Sequence, residues 1–414
     1  MIKKVQSVGI VGAGIQGVCT GIKLAEKGIK VSLFDKNEPG KMASYGNAGH
    51  FSPYAVLQLN RPDILYDVPK MLLSSSGPLA LKWNYIPKMM PWILGYLKNC
   101  NQKSMMHTAK YMNQILSLAL DAYDEIFKDV ELGHLVERKG VIYIWTDQNL
   151  KSRNLEIKIR DELGVKQQLL TKQEILDLEP NLNPVFHAGV LYDYAWHARD
   201  PHKILIKLFE KFTKLGGQFF KTEVKNVLQN VDGDTYVKTD NQDYKFDKLV
   251  IATGAFSKQF TDQLGEKIPL DTERGYHVHF KNMDHLIQRP VISMDRGFGM
   301  TPMDQGLRAV GTVELGGLKN PPSKKRIQYI INCAKELLPQ LGEHHDEWLG
   351  FRPTLPDFLP VLGPAKKFNN IVYAFGHQHL GWTLGAITGK IISGIVNNEN
   401  TNLDLTPYSS TRFS

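Results

Sequence analysis

The hexapeptide Gly12-Ala13-Gly14-Ile15-Gln16-Gly17 is the kind of turn that receives a pyrophosphate. Gly12 lets the chain reverse sharply, Gly14 lets the backbone approach a phosphate, and Gly17 lets a helix pack closely on a strand. The helix that follows offers unpaired N–H groups and the positive end of its dipole. Asp35, with Lys36 beside it, stands about 20 residues further on, where an acidic side chain accepts hydrogen bonds from ribose hydroxyls and repels a 2′-phosphate. Together these residues are expected to hold a dinucleotide. Other reactive types suggest less. Cys19, Cys100 and Cys333 are too far apart for a disulfide framework or a metal cluster. His377 and His379 have no further ligands at a suitable spacing, so no metal site is expected. His344 and His345 lie in a polar stretch that reads as solvated surface.

The elements that must position the turn alternate in type. Residues 7–11 (SVGIV) and 30–34 (KVSLF) are short apolar runs, and residues 15–27 between them have helical periodicity. This pattern predicts a parallel sheet flanked by helices. The same style returns in an amphipathic helix over residues 200–215, strands over 218–221 and 223–228, and a buried strand at 248–253 (KLVIAT) that ends in Gly254. It returns again in a strand at 370–375 (NIVYAF), a glycine-rich turn at 376–381 and a helix over about 383–397. Between these lie a mostly helical stretch, residues 76–130, with Pro78, Pro87 and Pro91 as breaks. Residues 140–146 (GVIYIWT) and 274–280 (RGYHVHF) are alternating and aromatic-rich, as in an antiparallel sheet. Two domains built from separated segments are therefore expected, at 1–75, 198–268 and 348–414 for the cofactor and at 76–197 and 269–347 for the substrate. A chain that leaves the first sheet after Asp35 and re-enters it near residues 200 and 370 suits a cofactor bound in extended form, as FAD is.

With 414 residues, 42% hydrophobic and 22% charged, the chain is long enough for two cores and shows no sign of disorder. Its net charge of +8 is spread along helical stretches and is not clustered with exposed aromatics, which speaks against nucleic-acid binding. The start MIKKVQSVGIVGAG goes directly from two lysines into a strand, unlike a signal peptide, and no apolar span is long enough to cross a bilayer. A cytoplasmic location is expected. Residues 83–97 (WNYIPKMMPWILGYL), flanked by Lys82 and Lys98, read either as a helix pair covering the substrate domain or as a surface that rests on the inner face of the cell membrane.

Four further segments, taken with the glycine turn, carry a family resemblance. They are Ser44-Tyr45-Gly46-Asn47-Ala48-Gly49-His50, residues 249–254 (LVIATG), Gly350-Phe351-Arg352-Pro353 with its downstream Pro360-Val361-Leu362-Gly363, and Gly376-His377-Gln378-His379-Leu380-Gly381-Trp382-Thr383. Over nearly the whole chain the sequence resembles the D-amino acid oxidase and dehydrogenase superfamily, most closely its bacterial D-amino acid dehydrogenase branch. The resemblance implies an α/β fold: a Rossmann-like FAD-binding domain of the glutathione-reductase type, interleaved with an α+β substrate domain on an antiparallel sheet. It implies that Ser44, Asn47, Ala48 and Gly49 lie along the flavin, that Val224 holds the adenine, and that Thr253 and Gly254 lie on the phosphate side. It also implies that Gly381, Trp382, Thr383 and Leu384 begin a helix aimed at the ring, whose dipole would stabilise negative charge on a reduced flavin.

For the substrate, the resemblance places a carboxylate on Arg352, whose guanidinium is a planar two-pronged donor. Tyr276 follows, because relatives put phenol hydroxyls there; Tyr276 and Val278 share one strand face, and His277 and His279 share the other. His50 and His379 complete the candidate set. Some glycine-oxidising relatives carry a second arginine near the position of His379, and this chain does not. The reaction implied is hydride loss from the α-carbon of a small D-amino acid to FAD, giving an imine that water hydrolyses to a keto acid. Residues 270–277 (LDTERGYH) also resemble enzymes acting on D-proline and hydroxyproline. The bacterial branch passes its electrons to a membrane acceptor such as a quinone. Alternatives are an O2-using oxidase of glycine-like or sarcosine-like amines, a nicotinamide dehydrogenase, and a non-catalytic flavin subunit of an electron-transfer complex.

Overall fold

The computed structural model describes residues 4–63, 77–148 and 150–413, so the domain boundary expected at 75/76 lies outside the described residues. Two sheets organise the chain. In the first, the strands Gln218–Lys221, Lys30–Asp35, Ser7–Val11, Lys248–Ile251 and Ile371–Phe375 lie parallel in that order, and Val361–Pro364 adds an antiparallel edge. The central strands read as continuous apolar runs because both faces are covered. Val8, Ile10, Val250 and Val372 pack into one cluster with the helices Ile15–Ala25 and Gly381–Val396, and Leu249, Ile251 and Tyr373 pack into another on the opposite face. The first and last helices approach closely, since a side-chain carbon on Gly389 would come within 2.7 Å of the Cys19 carbonyl.

The second sheet has nine strands. His344–Thr354, Asp271–Phe280, Gly306–Leu315, Phe298–Met303, Val291–Ser293, Val141–Trp145, Ala188–Tyr192 and Gln168–Leu170 follow one another, and Leu79–Leu81 pairs with Gly306–Leu315. One face is closed by the helix Lys324–Leu337, whose Ile327, Ile330, Ile331 and Leu337 bury against Tyr276, Val278 and Phe280. The opposite face looks toward the first sheet.

Several local expectations are corrected. Residues 348–354, expected with the cofactor domain, are hydrogen-bonded into the antiparallel sheet, where Trp348, Gly350 and Arg352 pair with His277, Gly275 and Glu273. Pro91 does not break the helical stretch. It sits inside the helix Ile86–Asn99, where it removes one bond to the Pro87 carbonyl while the helix continues for eight more residues. Strand 223–228 begins later, at Asn226–Gln229, and belongs to a separate three-stranded sheet with Thr235–Lys238 and Asp243–Phe246. The last helix starts at Gly381, two residues before the expected position.

Candidate active site

A cavity of about 480 Å³ runs from the first sheet to the second, and the residues singled out from sequence gather along it. At one end, Gly12 has φ +107°, and a side-chain carbon there would come within 2.5 Å of the Ala252 carbonyl, so only glycine fits. A side chain at Gly17 would run into the Gly12 carbonyl. The helix Ile15–Ala25 opens on Gly14 with no side-chain cap, so its first N–H groups are left toward the cavity; one of them, on Ile15, donates to Ser44 Oγ (3.1 Å). Asp35 braces the turn as it borders the cavity: Oδ2 accepts from Ala13 N and Oδ1 from Asn37 N, both at 2.9 Å. Lys36, Val224, Thr253 and Gly254 line the same end, with Lys36 lying over the Phe256 ring and 3.7 Å from Glu223.

The middle is the loop 44–50, and the second sheet clamps it. Arg308 Nη1 donates to the Asn47 carbonyl at 2.6 Å and its Nε donates to His279 Nε2 at 2.9 Å. Thr301 Oγ1 donates to the Ala48 carbonyl (2.9 Å), and His277 Nδ1 lies 3.0 Å from the Gly46 carbonyl with its ring stacked on Trp348. Arg308 is only 3% exposed, and burial lowers its pKa to about 10, opposed by Asp200. Asn47 turns inward on its own loop, donating to the Ser44 carbonyl and accepting from Gly49 N, both at 2.6 Å. Ser44, Asn47 and Ala48 line the cavity.

The far end is built from different strands. Arg352 lies deep in the protein yet keeps part of its surface open to the cavity. Its Nη1 donates to the Thr312 carbonyl at 2.9 Å. Thr312 has φ +62°, a strained conformation for a β-branched residue that aims its carbonyl at the guanidinium. Gly275 makes room, since any side chain there would collide with the guanidinium. Burial depresses the Arg352 pKa, and Glu273 opposes that shift. His379 lines the cavity and is held neutral, its pKa pushed to about 4 by burial and by Arg352. His50 also lines it; burial, with a smaller push from His197, takes it to about 3, and its Nε2 lies 2.7 Å from Thr301 Oγ1. Gln16 Nε2 donates to the Gly381 carbonyl (2.6 Å) and so ties the first turn to the start of the last helix.

Not every candidate reaches the cavity. Ala13, Gly17, Gly49, Thr383 and Leu384 stand behind its wall. Thr383 Oγ1 accepts from Ser52 N (3.0 Å) and donates to the His50 carbonyl (3.2 Å), so it fixes the loop and presents nothing to a ligand. Tyr276 forms part of the wall, but its hydroxyl donates to Glu314 Oε2 (2.8 Å) and accepts from Ser323 N (3.1 Å). The strand alternates, and Tyr276 shares its face with Val278 and Phe280, which the apolar side of Lys324–Leu337 covers; Gly275 and His277 therefore face the cofactor loop. Residues that sequence reasoning passed over include Glu273, Trp348, Arg308 and Tyr143. A period-two reading from Gly275 would have placed Glu273 and His277 on one face. Nothing in the sequence pointed to Arg308.

The site can be tested against FAD on its own features. Gly12, Gly14, Ile15 and Gln16 border the cavity directly at the start of a helix whose N-cap residue makes no side-chain cap. Trp382 Nε1 and Gln378 Oε1, on residues that line the cavity, are buried without a hydrogen-bond partner. Such orphaned groups fit a polar, extended cofactor reaching from Asp35 to the start of the last helix.

Comparison with known proteins agrees. The family model described as DAO, FAD dependent oxidoreductase, matches residues 7–395. A D-amino-acid oxidase of Bradyrhizobium diazoefficiens is 32% identical over 98% of both chains, and a D-amino acid dehydrogenase of Vibrio atlanticus is 26% identical over 98% of this chain and 99% of its own. Among solved structures, glycine oxidase from Geobacillus kaustophilus has the same fold with TM-score 0.76, 22% identity and 99% coverage of both chains. L-proline dehydrogenase from P. horikoshii gives 0.75 at 18% identity, covering 100% of this chain and 98% of that one. From the glycine turn to the last helix, this chain belongs to the DAO family of FAD-dependent oxidoreductases.

Proposed function

We propose that the chain oxidises a small α-amino acid, of D configuration or proline-like, to its imine, which water converts to the keto acid where it can. The single observation that carries this reading is Arg352, a guanidinium opening into the far end of the cavity between Thr312 and the space left by Gly275. A substrate carboxylate would be held there by a charge-assisted pair of hydrogen bonds. Bound FAD supplies the acceptor for the hydride of the substrate α-carbon. The chain's own contribution is to hold the two partners and keep water out. Gly12, Gly14, Ile15, Gln16, Asp35, Lys36, Val224, Thr253 and Gly254 would hold the dinucleotide, and Ser44, Asn47, Ala48, Gly381 and Trp382 the ring. His50 and His379 would serve as neutral polar walls, since burial keeps protons off both rings at neutral pH. The D configuration is supported by the two relatives above, a D-amino-acid oxidase and a D-amino acid dehydrogenase. Arg352→Ala should raise KM for the amino acid on the order of a hundredfold, about 3 kcal/mol, with FAD content preserved; an unchanged KM removes the assignment.

The electron acceptor is proposed to be a quinone or another membrane-borne carrier, reached by peripheral contact at the inner face of the cell membrane. No helix among the described residues is long and apolar enough to cross a bilayer. The helix Ile86–Asn99 buries Met89 and Trp92 and leaves Met90, Leu94 and Leu97 exposed on a stripe, with Trp83 72% exposed just before it. Lys82, Lys88 and Lys98 flank the stripe, as an anionic surface requires. Flotation with phosphatidylserine vesicles should carry the protein upward, and Leu94→Glu should abolish this. A wild-type chain that stays at the bottom of the gradient would exclude the contact.

A further inference from the structure

The proposed amino-acid reading leaves one buried charged group at the far end of the cavity without a task. Glu273 stands directly opposite Arg352 on the neighbouring antiparallel strand, and both side chains belong to the wall. Glu273 is only 3% exposed. The two do not meet as a direct ion pair. Arg352 Nη1 turns to the Thr312 carbonyl, and Glu273 Oε1 accepts from Thr354 Oγ1 at 3.1 Å. Two opposite charges thus sit side by side in a low-dielectric pocket, each anchored from behind and separated from the other. A contact pair would be self-satisfied; this arrangement has room for a ligand that carries both signs.

We infer that Glu273 is the anchor for the substrate's ammonium group, so that Glu273 and Arg352 together select zwitterionic amino acids over simple carboxylic or hydroxy acids. The inference rests on Arg352 holding the carboxylate. An α-amino acid presents its two charges a few bonds apart, and the site presents the complementary two on adjacent strands. With His50 and His379 neutral, the pair carries no net charge, so a zwitterion enters without leaving an uncompensated charge, whereas a monocarboxylate leaves one negative charge in excess. Burial raises the Glu273 pKa above the usual carboxylate range, with Arg352 and the Thr354 hydroxyl opposing that rise without cancelling it. Tyr96, on the helix Ile86–Asn99, lies within electrostatic reach of the same carboxylate. The group would touch the substrate itself, so it counts as a specificity-determining residue.

The test uses the FAD-loaded enzyme and two ligands that differ by one group. D-Alanine, D-proline and glycine are first screened for anaerobic bleaching of the flavin, and the best of them supplies the zwitterion. Propionate, which lacks the ammonium, is titrated as a competitive inhibitor and by its perturbation of the flavin spectrum. In Glu273→Gln, KM for the amino acid should rise roughly tenfold, the scale of one charge-assisted hydrogen bond, while propionate binds as tightly as before or several-fold tighter. Glu273→Asp keeps the charge but shortens its reach; it should shift the same ratio in the same direction by less. Equal weakening of both ligands in both variants would mean that Glu273 merely holds Arg352 in place, and would overturn the inference, as would no change in either. Arg352→Lys separates the two readings: if it leaves amino acid and propionate binding unaltered, the carboxylate assignment itself has failed, whatever Glu273 does.

Discussion

The two ends of the cavity are built on opposite principles. The end proposed for the pyrophosphate is largely local: residues 12–17 and Asp35 come from one strand–helix–strand unit, joined by Val224, Thr253 and Gly254 from later segments, and its means are backbone N–H groups, a glycine that alone can turn, and a helix start. The end proposed for the substrate is non-local. His50, Tyr143, Arg352 and His379 arrive from distant parts of the chain and would act through their side chains, with Gly275 leaving the guanidinium its space. A contact made by backbone tolerates change in neighbouring side chains, while a contact made by a guanidinium depends on every strand that shapes the space around it.

Gly12→Val should abolish FAD loading, roughly a hundredfold or more in affinity, because the new side chain meets the Ala252 carbonyl and a positive φ at once. Absorbance of the purified protein near 450 nm measures this; a normally yellow variant would contradict it. Gly275→Ala should separate the ends, with FAD content unchanged and KM for the amino acid raised about tenfold or more, since the guanidinium must move from its place. If FAD content falls instead, the ends are not independent.

Arg308→Met should weaken FAD binding by about tenfold and lower Tm, because two carbonyls of the loop 44–50 and His279 lose their shared donor. Isothermal titration of the apoprotein with FAD reads the first effect. Acid should act through the histidines. The folded pKa values of His50, His377 and His379 lie at about 3 to 4, below the ordinary 6.5, so the unfolded chain takes up protons first as pH falls. Stability is therefore fully present above pH 6.5 and declines toward pH 4, and His379→Gln should flatten part of that decline in a Tm series. The smallest change is expected of Tyr276→Phe: a loss of about 1 kcal/mol in stability from the Glu314 contact, with kcat and KM within about twofold of wild type. A large rise in KM would return Tyr276 to the substrate.

Much of this was legible in the sequence where the physics is local. The glycine turn, the acidic residue after the second strand and the final strand–turn–helix unit each carry their reason within a few neighbouring residues. Tyr276 shows the limit. Alternation correctly separated it from His277, but the helix Lys324–Leu337 covers Val278 and Phe280 on that face and the Tyr276 hydroxyl is taken by Glu314 and Ser323, so Tyr276 borders the cavity without offering its hydroxyl to it. Arg308 shows the same limit more sharply, since its partners Asn47 and Tyr45 lie more than 250 residues away in sequence.

By itself, the sequence determined that a dinucleotide turn stands between the first strand and the first helix and that two sheets of different character follow, and through its family resemblance it singled out Arg352. Only the tertiary structure decided which strand face looks into the cavity, that Glu273 stands opposite Arg352, and that the loop 44–50 hangs from a buried arginine on the other sheet. The reason is range. Backbone conformation and helix starts are set by neighbours in the chain, whereas the pairing of charges across strands is set by register and packing, which exist only once distant segments have met.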